Sequence, residues 1–198
     1  MAEAGPCVIL LLAAGGSTRM GQLKQLLQVE GQPLLRRAAR AAIDAGLHRV
    51  LVVLGAEAAR VLPVIADLDV GIVLNPEWPE GIASSLRAGV LAVEQGLPDA
   101  RGLIVMMADQ PWMPAAHLCR IDAARRTGCG SIVASDYGDH LGPPAYFDRQ
   151  HFPALKALRG DAGARTLLLS EAVVAVAAPA GSDADLDEPR DLLRMADR

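Results

Sequence analysis

The stretch CVILLLAAGGSTRMGQLK, residues 7–24, decides the architecture of this chain. Cys7 to Leu12 is continuously apolar, which is typical of a strand buried on both faces of a parallel sheet. The Gly15-Gly16 pair that follows allows a tight turn, whose successive backbone N–H groups can form a concave anion site. Arg19 and Lys24 add a planar guanidinium and a compact ammonium, which complement each other around a triphosphate. The stretch therefore predicts a buried strand followed by a phosphate-binding loop.

This loop differs from two common nucleotide-binding motifs. It lacks the glycine–lysine–Ser/Thr ending of a P-loop, and it lacks the G-x-G-x-x-G spacing of a dinucleotide fingerprint. The second absence argues against a nicotinamide oxidoreductase. The sequence also contains no H-E-x-x-H motif, and its four histidines are not spaced as a metal cluster.

Beyond the loop, short apolar runs alternate with alanine-rich amphipathic stretches. Strands are predicted at residues 49–54, 70–74, 102–107, 131–135 and 172–177. Helices are predicted at residues 33–45, 57–66, 84–95, 114–126, 161–170 and 188–195. Pro63 is expected to divide the second helix, and the Gly/Pro-rich residues 138–146 fit either a substrate loop or a short hairpin.

The alternation predicts an α/β fold in which a mostly parallel sheet carries helices on both faces. One domain over residues 1–198 is expected from the chain length. Ligands of such sheets bind beyond the carboxyl ends of the strands. The residues that follow each strand are therefore the candidates for chemistry.

Composition narrows the classes of function. The 198 residues carry a formal net charge of −4, whereas binding to nucleic acid or to a membrane surface favours a basic stripe. The three cysteines have no paired spacing, which argues against a disulfide framework or a zinc cluster. The amino terminus has no basic region, and the first apolar run is far shorter than the roughly 20 residues that span a bilayer. We therefore expect a cytoplasmic protein.

The loop and the residues after it resemble the signature of the molybdenum-cofactor nucleotidyltransferases, L-A-[AG]-G-x-S-x-R-M-G-x-x-K followed by G-x-P-L-L. The second part reads Gly31-Gln32-Pro33-Leu34-Leu35 in this chain. The resemblance implies a three-layer, Rossmann-like nucleotidyltransferase fold, with Arg19 and Lys24 as catalytic contacts to the triphosphate. The loop residues expected to bind the nucleotide are Leu12, Ala13, Ala14, Gly15, Gly16, Ser17, Arg19 and Lys24.

Two features resemble the cytidylyltransferase branch of this family. The Ala14-Gly15 pair is one, since the guanylyltransferase branch usually has two glycines there. The other is PEGIASSLRAG, residues 79–89, which resembles G-[ML]-x-x-S-L-x-x-G and carries Ile82 where Met or Leu is usual. In the family this segment lies by the base. The resemblance therefore implies that Gly81, Ser84 and Ser85 also bind the nucleotide. Ser84 or Ser85 also fits a helix N-cap.

Asp109 is the first candidate for a metal ligand. It follows the strand predicted at 102–107, where a carboxylate can hold Mg²⁺ against phosphate oxygens. An aspartate before Pro111 also fits a simple turn. The tetrad Ala108-Asp109-Gln110-Pro111 resembles the metal-binding [AC]-D-x-P motif of the family, which favours the Mg²⁺ site.

The segment DLDEP, residues 185–189, resembles the D-[IV]-D-T-P segment of the family. The resemblance implies that one of its aspartates completes the Mg²⁺ site together with Asp109. Asp187 is the predicted ligand, with Asp185 on the same side of an extended chain as its alternate. An acidic first turn of a helix is the competing interpretation.

Two further segments resemble the acceptor side of the family. Residues 141–147 resemble its G-H-P segment, with Pro143 where His is usual, and His140 either compensates or lies in solvent. Residues 160–165, GDAGAR, resemble the G-D-x-G-A-R block of the cytidylyltransferases. The residues expected to bind the acceptor are Gly142, Pro144, Asp161 and Arg165. Asp161 also fits a helix N-cap, and Arg165 also fits an ion pair with a carboxylate.

The resemblance implies a Mg²⁺-dependent transfer of CMP from CTP to molybdenum-bound molybdopterin, with release of pyrophosphate. A phosphate oxygen is already anionic at neutral pH, so this attack requires positioning and charge neutralisation rather than a general base. The product would pass to a molybdoenzyme or its chaperone. Three alternatives stay open: a sibling transferase that uses GTP or a sugar phosphate, a non-catalytic cofactor-binding and delivery protein, and a nicotinamide oxidoreductase.

Overall fold

A computed structural model of the chain describes residues 5–16, 23–47, 49–170 and 172–182. The strands of the main sheet are β1 (Cys7–Ala13), β4 (Arg49–Leu54), β5 (Gly71–Leu74), β6 (Gly102–Met107), β7 (Ile132–Asp136), β8 (Leu141–Asp148) and β9 (Val173–Ala177). A small hairpin is formed by β2 (Gln28–Val29) and β3 (Gln32–Pro33). The helices are α1 (Leu34–Asp44), α2 (Ala58–Val61), α3 (Ile82–Gly96), α4 (Ala115–Arg126), α5 (Phe152–Ala157) and α6 (Arg165–Ser170).

The seven-stranded sheet has the order β5-β4-β1-β6-β8-β7-β9. β1 pairs in parallel with β4 on one side and with β6 on the other, so that Leu10 lies opposite both Leu51 and Val105. Only β8 runs antiparallel to its neighbours. The sheet confirms the predicted α/β fold with a mostly parallel sheet.

Alternating side chains of β1 build a core on each face of the sheet, because successive strand residues point to opposite faces. Ile9 and Leu11 pack with α1 and α4 on one face. Leu10 and Leu12 pack with α3, α5 and α6 on the other. All seven residues of β1 are buried, which explains why its sequence is apolar without alternation.

Of the two interpretations of residues 138–146, the hairpin is confirmed: these residues form part of the turn and most of the second strand, β8, which pairs antiparallel with β7. Ala134 of β7 lies opposite Ala145, whereas the next residue, Ser135, lies opposite Gly142. Pro143 and Pro144 therefore form a bulge outside the ladder. Proline has no N–H to donate to a neighbouring strand, so a bulge is where a sheet accommodates it.

Several predicted helix boundaries are wrong. The helix expected at 57–66 is a single turn, α2, followed by the 3-10 turn Leu62–Val64, since Pro63 interrupts it as expected. The helix expected from 161 begins only at Arg165, so Asp161 is not its N-cap. α5 was not predicted, and the helix expected at 188–195 lies outside the described residues.

α3 begins at Ile82, two residues earlier than predicted. Its N-cap is Gly81, which supplies no side-chain hydrogen bond. Ser84 and Ser85 thus lie inside the first turn, and the prediction that either one caps the helix is wrong. No helix within the described ranges has the length and apolar character to span a membrane.

A buried ion pair ties α4 to the sheet. Arg125 donates from Nε to Asp122 Oδ1 at 2.6 Å, and Arg126 donates to the other oxygen of the same carboxylate at 2.6 Å. The Arg125 guanidinium also lies over the Tyr146 ring and donates to the Gly5 carbonyl. The side chains of Arg125 and Asp122 are only 3% and 7% exposed, so each charge is stabilised by the other rather than by water.

Asp122→Asn is expected to lower the free energy of unfolding by about 3–5 kcal/mol, because it leaves the buried Arg125 charge without its counterion. Urea denaturation measures this change. The control is Glu94→Gln, which breaks the more exposed Lys156–Glu94 pair at 2.7 Å and should cost about 0–1 kcal/mol. Equal losses in the two variants would contradict this account of α4.

Candidate active site

Two cavities open at the carboxyl ends of the central strands. The first has a volume of about 460 Å³ and lies over β1, between the start of α3 and the residues after β6. Its lining includes Leu12, Ala13, Ala14, Gly15, Gly16, Lys24, Gly81, Ser85 and Asp109. Most of the residues predicted to bind the nucleotide therefore come together in one place. Ser84 lies one residue from this lining, and Ser17 and Arg19 lie outside the described residues.

The second cavity, of about 290 Å³, lies between β6, β8 and α6. Gly142 and Arg165 line it, as does His140. Pro144 is not among its lining residues, although its neighbours Pro143 and Ala145 are. Part of the predicted acceptor site is thus found beside the predicted nucleotide site, with apolar walls from β6 and β8.

Asp109 lies at the border and lines both cavities. Its Oδ2 is 3.8 Å from Lys24 Nζ, and the two side chains are 25% and 18% exposed. The position follows from the sheet, because β6 ends at Met107 and the Ala108 N–H is bonded to the Leu12 carbonyl at 3.1 Å. One carboxylate and one ammonium thus meet where the contents of the two cavities would meet.

Gln25, which was not predicted as a site residue, fixes the loop that carries this lysine. Its Nε2 donates to the carbonyl of Ala13 at 2.9 Å and to that of Gly15 at 2.8 Å. Both amide protons are used, and the buried Oε1 has no hydrogen-bond partner in the described part of the chain. Gln25 therefore joins the 3-10 turn of Lys24 to the end of β1. In the sequence, Gln25 is only a polar residue next to Lys24, and its burial becomes visible in the structure.

Trp78 forms one wall of the first cavity and was also not predicted. It lies close to two backbone segments, so that a side chain is excluded at Gly55 and would be tight at Gly16. A Cβ on Gly55 would be 2.6 Å from the Trp78 Cβ, and one on Gly16 would be 3.0 Å from the indole ring. The indole thus packs against the glycine-rich loop and against the end of β4.

Asn75 organises the start of α3 next to this wall. Its buried Nδ2 donates to Ser84 Oγ at 2.8 Å and to Ser85 Oγ at 3.1 Å, and Ser84 Oγ donates to the Gly81 carbonyl at 2.8 Å. The two serines are therefore bound to the protein through their hydroxyls. Ser85 still presents part of its surface to the first cavity.

The residues 160–165 are divided between the two cavities. Asp161 lines the first cavity, whereas Gly163, Ala164 and Arg165 line the second. The Gly160 carbonyl accepts the Ala83 N–H at 3.0 Å, which docks this loop on the first turn of α3. A role for Asp161 in acceptor binding would require the acceptor to reach into the first cavity.

A chain of hydrogen bonds holds the Pro143-Pro144 bulge at the edge of the second cavity. Gln110 Nε2 donates to Tyr137 Oη at 3.3 Å, and Tyr137 Oη donates to the Pro143 carbonyl at 2.5 Å. From the other side, Ser135 Oγ donates to the Pro144 carbonyl at 2.7 Å. Pro144 therefore acts through its backbone oxygen, which holds the cavity wall in place.

His117 supports this bulge through Ser135. Because Ser135 Oγ gives its proton to Pro144, His117 Nε2 donates to that oxygen at 2.8 Å, and Nδ1 accepts from Arg120 at 2.9 Å. The ring is fully buried. Burial first, and the Arg120 charge second, lower the pKa of His117 to about 4.

His140 occupies the rim of the second cavity. Its ring stacks on Tyr137 with 5.1 Å between centroids, and its Nδ1 lies 2.6 Å from Asp139 Oδ1. The side chain is 44% exposed. Both interpretations of the sequence hold in part, since His140 reaches the predicted acceptor cavity and also contacts solvent.

This arrangement agrees with the comparison with known proteins. The model of the MobA-like NTP transferase domain matches residues 9–176, which include the linings of both cavities. The chain belongs to the MobA-like NTP transferase family. It is thus a nucleotidyltransferase by family, and the resemblance drawn from the sequence is confirmed at that level.

Curated relatives of this MobA-like transferase have diverse names. It is 31% identical over 200 residues to the purine catabolism protein PucB of Bacillus subtilis, covering 94% of this chain and 95% of PucB. It is 34% identical over 171 residues to nicotine blue oxidoreductase of Paenarthrobacter nicotinovorans, covering 82% of each chain. A probable molybdenum cofactor guanylyltransferase of Opitutus terrae is 32% identical over 126 residues, covering 62% of this chain and 57% of that protein.

Among solved structures, the manganese complex of Rv0371c from Mycobacterium tuberculosis superposes with a TM-score of 0.82 at 28% identity. It covers 97% of this chain and 98% of Rv0371c. The fold of this chain is therefore matched over nearly its whole length.

The donor atoms around Asp109 suit a hard divalent cation. Carboxylate oxygens are preferred ligands of Mg²⁺, which is usually held by one or two carboxylates together with substrate phosphates. In the described ranges, no group of three or more His, Cys, Asp or Glu side chains forms a complete cage. Asp109 therefore fits a site in which one carboxylate and the substrate phosphates hold the ion together. The predicted second ligand, Asp187, and its alternate, Asp185, lie outside the described residues.

Protonation of His117 is expected to destabilise the protein in acid. Its folded-state pKa of about 4 lies below the ordinary 6.5, so the unfolded chain takes up this proton first as the pH falls. The contribution is complete above pH 6.5 and is lost as the pH falls to about 4, by up to ~1.4 kcal/mol per pH unit.

His117→Gln keeps an N–H donor but does not titrate. Denaturation at several pH values should show that the difference in unfolding free energy between wild type and this variant shrinks between pH 7 and pH 5, about the range in which an ordinary imidazole titrates. A difference that stays constant with pH would contradict a neutral, buried His117.

Proposed function

We propose that this MobA-like transferase moves CMP from CTP to a phosphorylated acceptor, molybdenum-bound molybdopterin, and releases pyrophosphate. The observation that carries the proposal is the position of Asp109, which lines both cavities and faces Lys24 at 3.8 Å. A transferase requires two substrates to meet at one charged point. The relationship to a probable molybdenum cofactor guanylyltransferase supports the class of acceptor.

In the proposed reaction, the first cavity binds the nucleotide and the second binds the acceptor. The backbone of Gly15 and Gly16 and the Lys24 ammonium hold the triphosphate and neutralise charge on the departing pyrophosphate. The acceptor phosphate attacks the α-phosphorus in line, and the bond to pyrophosphate breaks. Arg19, proposed from the sequence, would add a guanidinium to the same phosphates.

Asp109 would hold a divalent cation against the phosphates, and Asp187 is the proposed second ligand. Such an ion supplies charge neutralisation and alignment of the two phosphate groups when it is bound. The manganese complex of Rv0371c supports a divalent ion in this fold. Mg²⁺ is the proposed ion because oxygen donors and phosphates suit it.

The second cavity offers a cation for the acceptor phosphate. Arg165 lines it, and a guanidinium binds phosphate through paired hydrogen bonds. Gly142 lines the same wall, and Pro144 is proposed to act there through the bulge that its carbonyl anchors. His140 lines this cavity together with Pro143, which stands where the family usually has His, and we propose that His140 takes over that contact.

One relative favours a second candidate function. The similarity to nicotine blue oxidoreductase makes a redox activity the second candidate function. The missing dinucleotide fingerprint argues against nicotinamide binding in the usual manner. Consumption of reduced nicotinamide with a chromophoric acceptor, followed by absorbance, tests this candidate, and activity that needs no nucleoside triphosphate would favour it.

The proposal is tested by pyrophosphate release with Mg²⁺, comparing CTP, GTP, ATP and UTP, with and without molybdenum-loaded pterin. Release should require the acceptor and prefer CTP. Asp109→Asn should lower the rate by at least about 100-fold, because it removes a charge that acts on the transition state. The control, Asp69→Asn on the surface, should retain the wild-type rate.

Other outcomes separate the alternatives. Release that prefers GTP moves the chain to the sibling branch, and release with a sugar phosphate replaces the acceptor. Tight binding of the cofactor with no release of pyrophosphate from any nucleotide would favour a binding and delivery protein.

The methyl group of Ala14 is expected to select the base. Ala14 is 4% exposed, lines the first cavity and packs in the core with α3, so Ala14→Gly enlarges the cavity by one methyl group. The ratio of kcat/KM for CTP to that for GTP should fall by about tenfold, the discrimination that one methyl group provides. An unchanged ratio in the folded variant would show that Ala14 does not read the base.

A further inference from the structure

Asp161 is an acidic side chain in the cavity proposed for an anionic substrate. It lines the first cavity together with Gly81 and Ile82. Arg165, which belongs to the same GDAGAR segment, lines the second cavity. Its position is fixed by the backbone. A Cβ on Gly81 would lie 2.5 Å from Asp161 Oδ1 and 2.5 Å from the Gly160 carbonyl oxygen.

The loop that carries Asp161 has little freedom to move away. The Gly160 carbonyl accepts the Ala83 N–H at 3.0 Å, so that the loop is bonded to the first turn of α3. Gly81 has a φ of +115°, a conformation that glycine adopts without strain, and it provides the close approach. The loop that carries the carboxylate is therefore docked on the first turn of α3.

This carboxylate has a free capacity to accept hydrogen bonds. Within the described ranges, no hydrogen-bond donor or ion-pair partner contacts the Asp161 side chain, which is exposed at the cavity wall. An ionised carboxylate accepts hydrogen bonds and donates none. Its natural partner is thus an N–H or O–H group of whatever occupies the cavity.

Charge distinguishes the parts of the first cavity that Lys24 and Asp161 line. Lys24 and Asp109 mark the side of β1 that faces β6, where the triphosphate is proposed to lie. Trp78 and Gly81 follow β5, which lies beyond β4 on the opposite side of β1. An ionised carboxylate repels phosphates, whereas the Lys24 ammonium attracts them, so the part of the first cavity beside Asp161 and Gly81 suits the uncharged nucleoside.

Resting on the proposed function, we propose that Asp161 is a specificity-determining residue of the nucleotide cavity. Its carboxylate accepts a hydrogen bond from the nucleoside, either from the exocyclic amine of the base or from the 2′-hydroxyl of the ribose. The residue would thus read the nucleotide, whereas Arg165, four positions later, contacts the acceptor. The GDAGAR segment contributes one side chain to each substrate.

Equilibrium binding without acceptor tests this assignment. The dissociation constants of CTP, UTP, GTP, ITP and 2′-deoxy-CTP are measured with Mg²⁺ for wild type, Asp161→Ala and Asp161→Asn. UTP and ITP lack the exocyclic amine of CTP and GTP, and 2′-deoxy-CTP lacks one ribose hydroxyl. Asp99→Asn is the control, since Asp99 is an exposed carboxylate in the turn before β6, at the amino end of the strand whose carboxyl end faces the cavities.

Asp161→Ala should weaken the preferred nucleotide by about tenfold, the value of one hydrogen bond to a charged group. Asp161→Asn, which keeps a carbonyl oxygen without the charge, should fall between alanine and wild type. If the base amine is the donor, the preference for CTP over UTP, or for GTP over ITP, should decrease in Asp161→Ala. If the ribose hydroxyl is the donor, the preference for CTP over 2′-deoxy-CTP should decrease instead.

Three results would overturn the assignment. Wild-type ratios for every pair in Asp161→Ala would show that the residue does not read the nucleoside. A raised Mg²⁺ requirement with unchanged ratios would make it a metal ligand. If wild type binds none of these nucleotides, the proposed function fails and this inference fails with it, whereas the first two results leave the proposed function intact.

Discussion

The meeting of Lys24 with Asp109 depends on the parallel pairing of β1 with β6. Both strands end at the same edge, and the Ala108 N–H bonds to the Leu12 carbonyl, so the residues that follow the two strands come together. Parallel strands with buried faces require helices on both sides, and β1 supplies the core for both layers. The apolar run that starts the chain therefore fixes the place of the charges as well as the fold.

The two cavities differ in how their walls are held. In the first, backbone segments approach side chains at glycines, as where Gly16 meets the Trp78 indole, and the Gln25 amide joins the loop to β1. In the second, the bulge in β8 is held by hydrogen bonds that end at Gln110 and His117. The close glycine contacts and the hydrogen-bonded bulge each hold a cavity wall in place, and a site for two substrates needs such support. Family membership and this geometry agree on nucleotidyl transfer as the class of reaction.

Much of this could be predicted from the sequence, because buried parallel strands are local apolar runs that end at glycine or aspartate. β4 and β6 have the predicted bounds, and Asp109 lies at the predicted strand end. The hairpin at 138–146 was one of two interpretations, but the length of β8 could not be predicted, since Pro143 and Pro144 argue against a continuous strand until the bulge is known. Asp161 and Arg165 line different cavities, and the place of Asp161 depends on a contact with the distant Gly81, which no local sequence pattern predicts. Gln25 and Trp78 likewise act through contacts with distant backbone.

The most direct test of the account is a crystal structure with Mn²⁺ and a non-hydrolysable analogue of CTP, in which anomalous scattering locates the metal. The account predicts a manganese peak on the Asp109 carboxylate at the border of the two cavities, with the triphosphate beside Lys24 and the nucleoside toward Trp78 and Gly81. A metal bound away from Asp109, or a nucleotide seated in the second cavity, would contradict it.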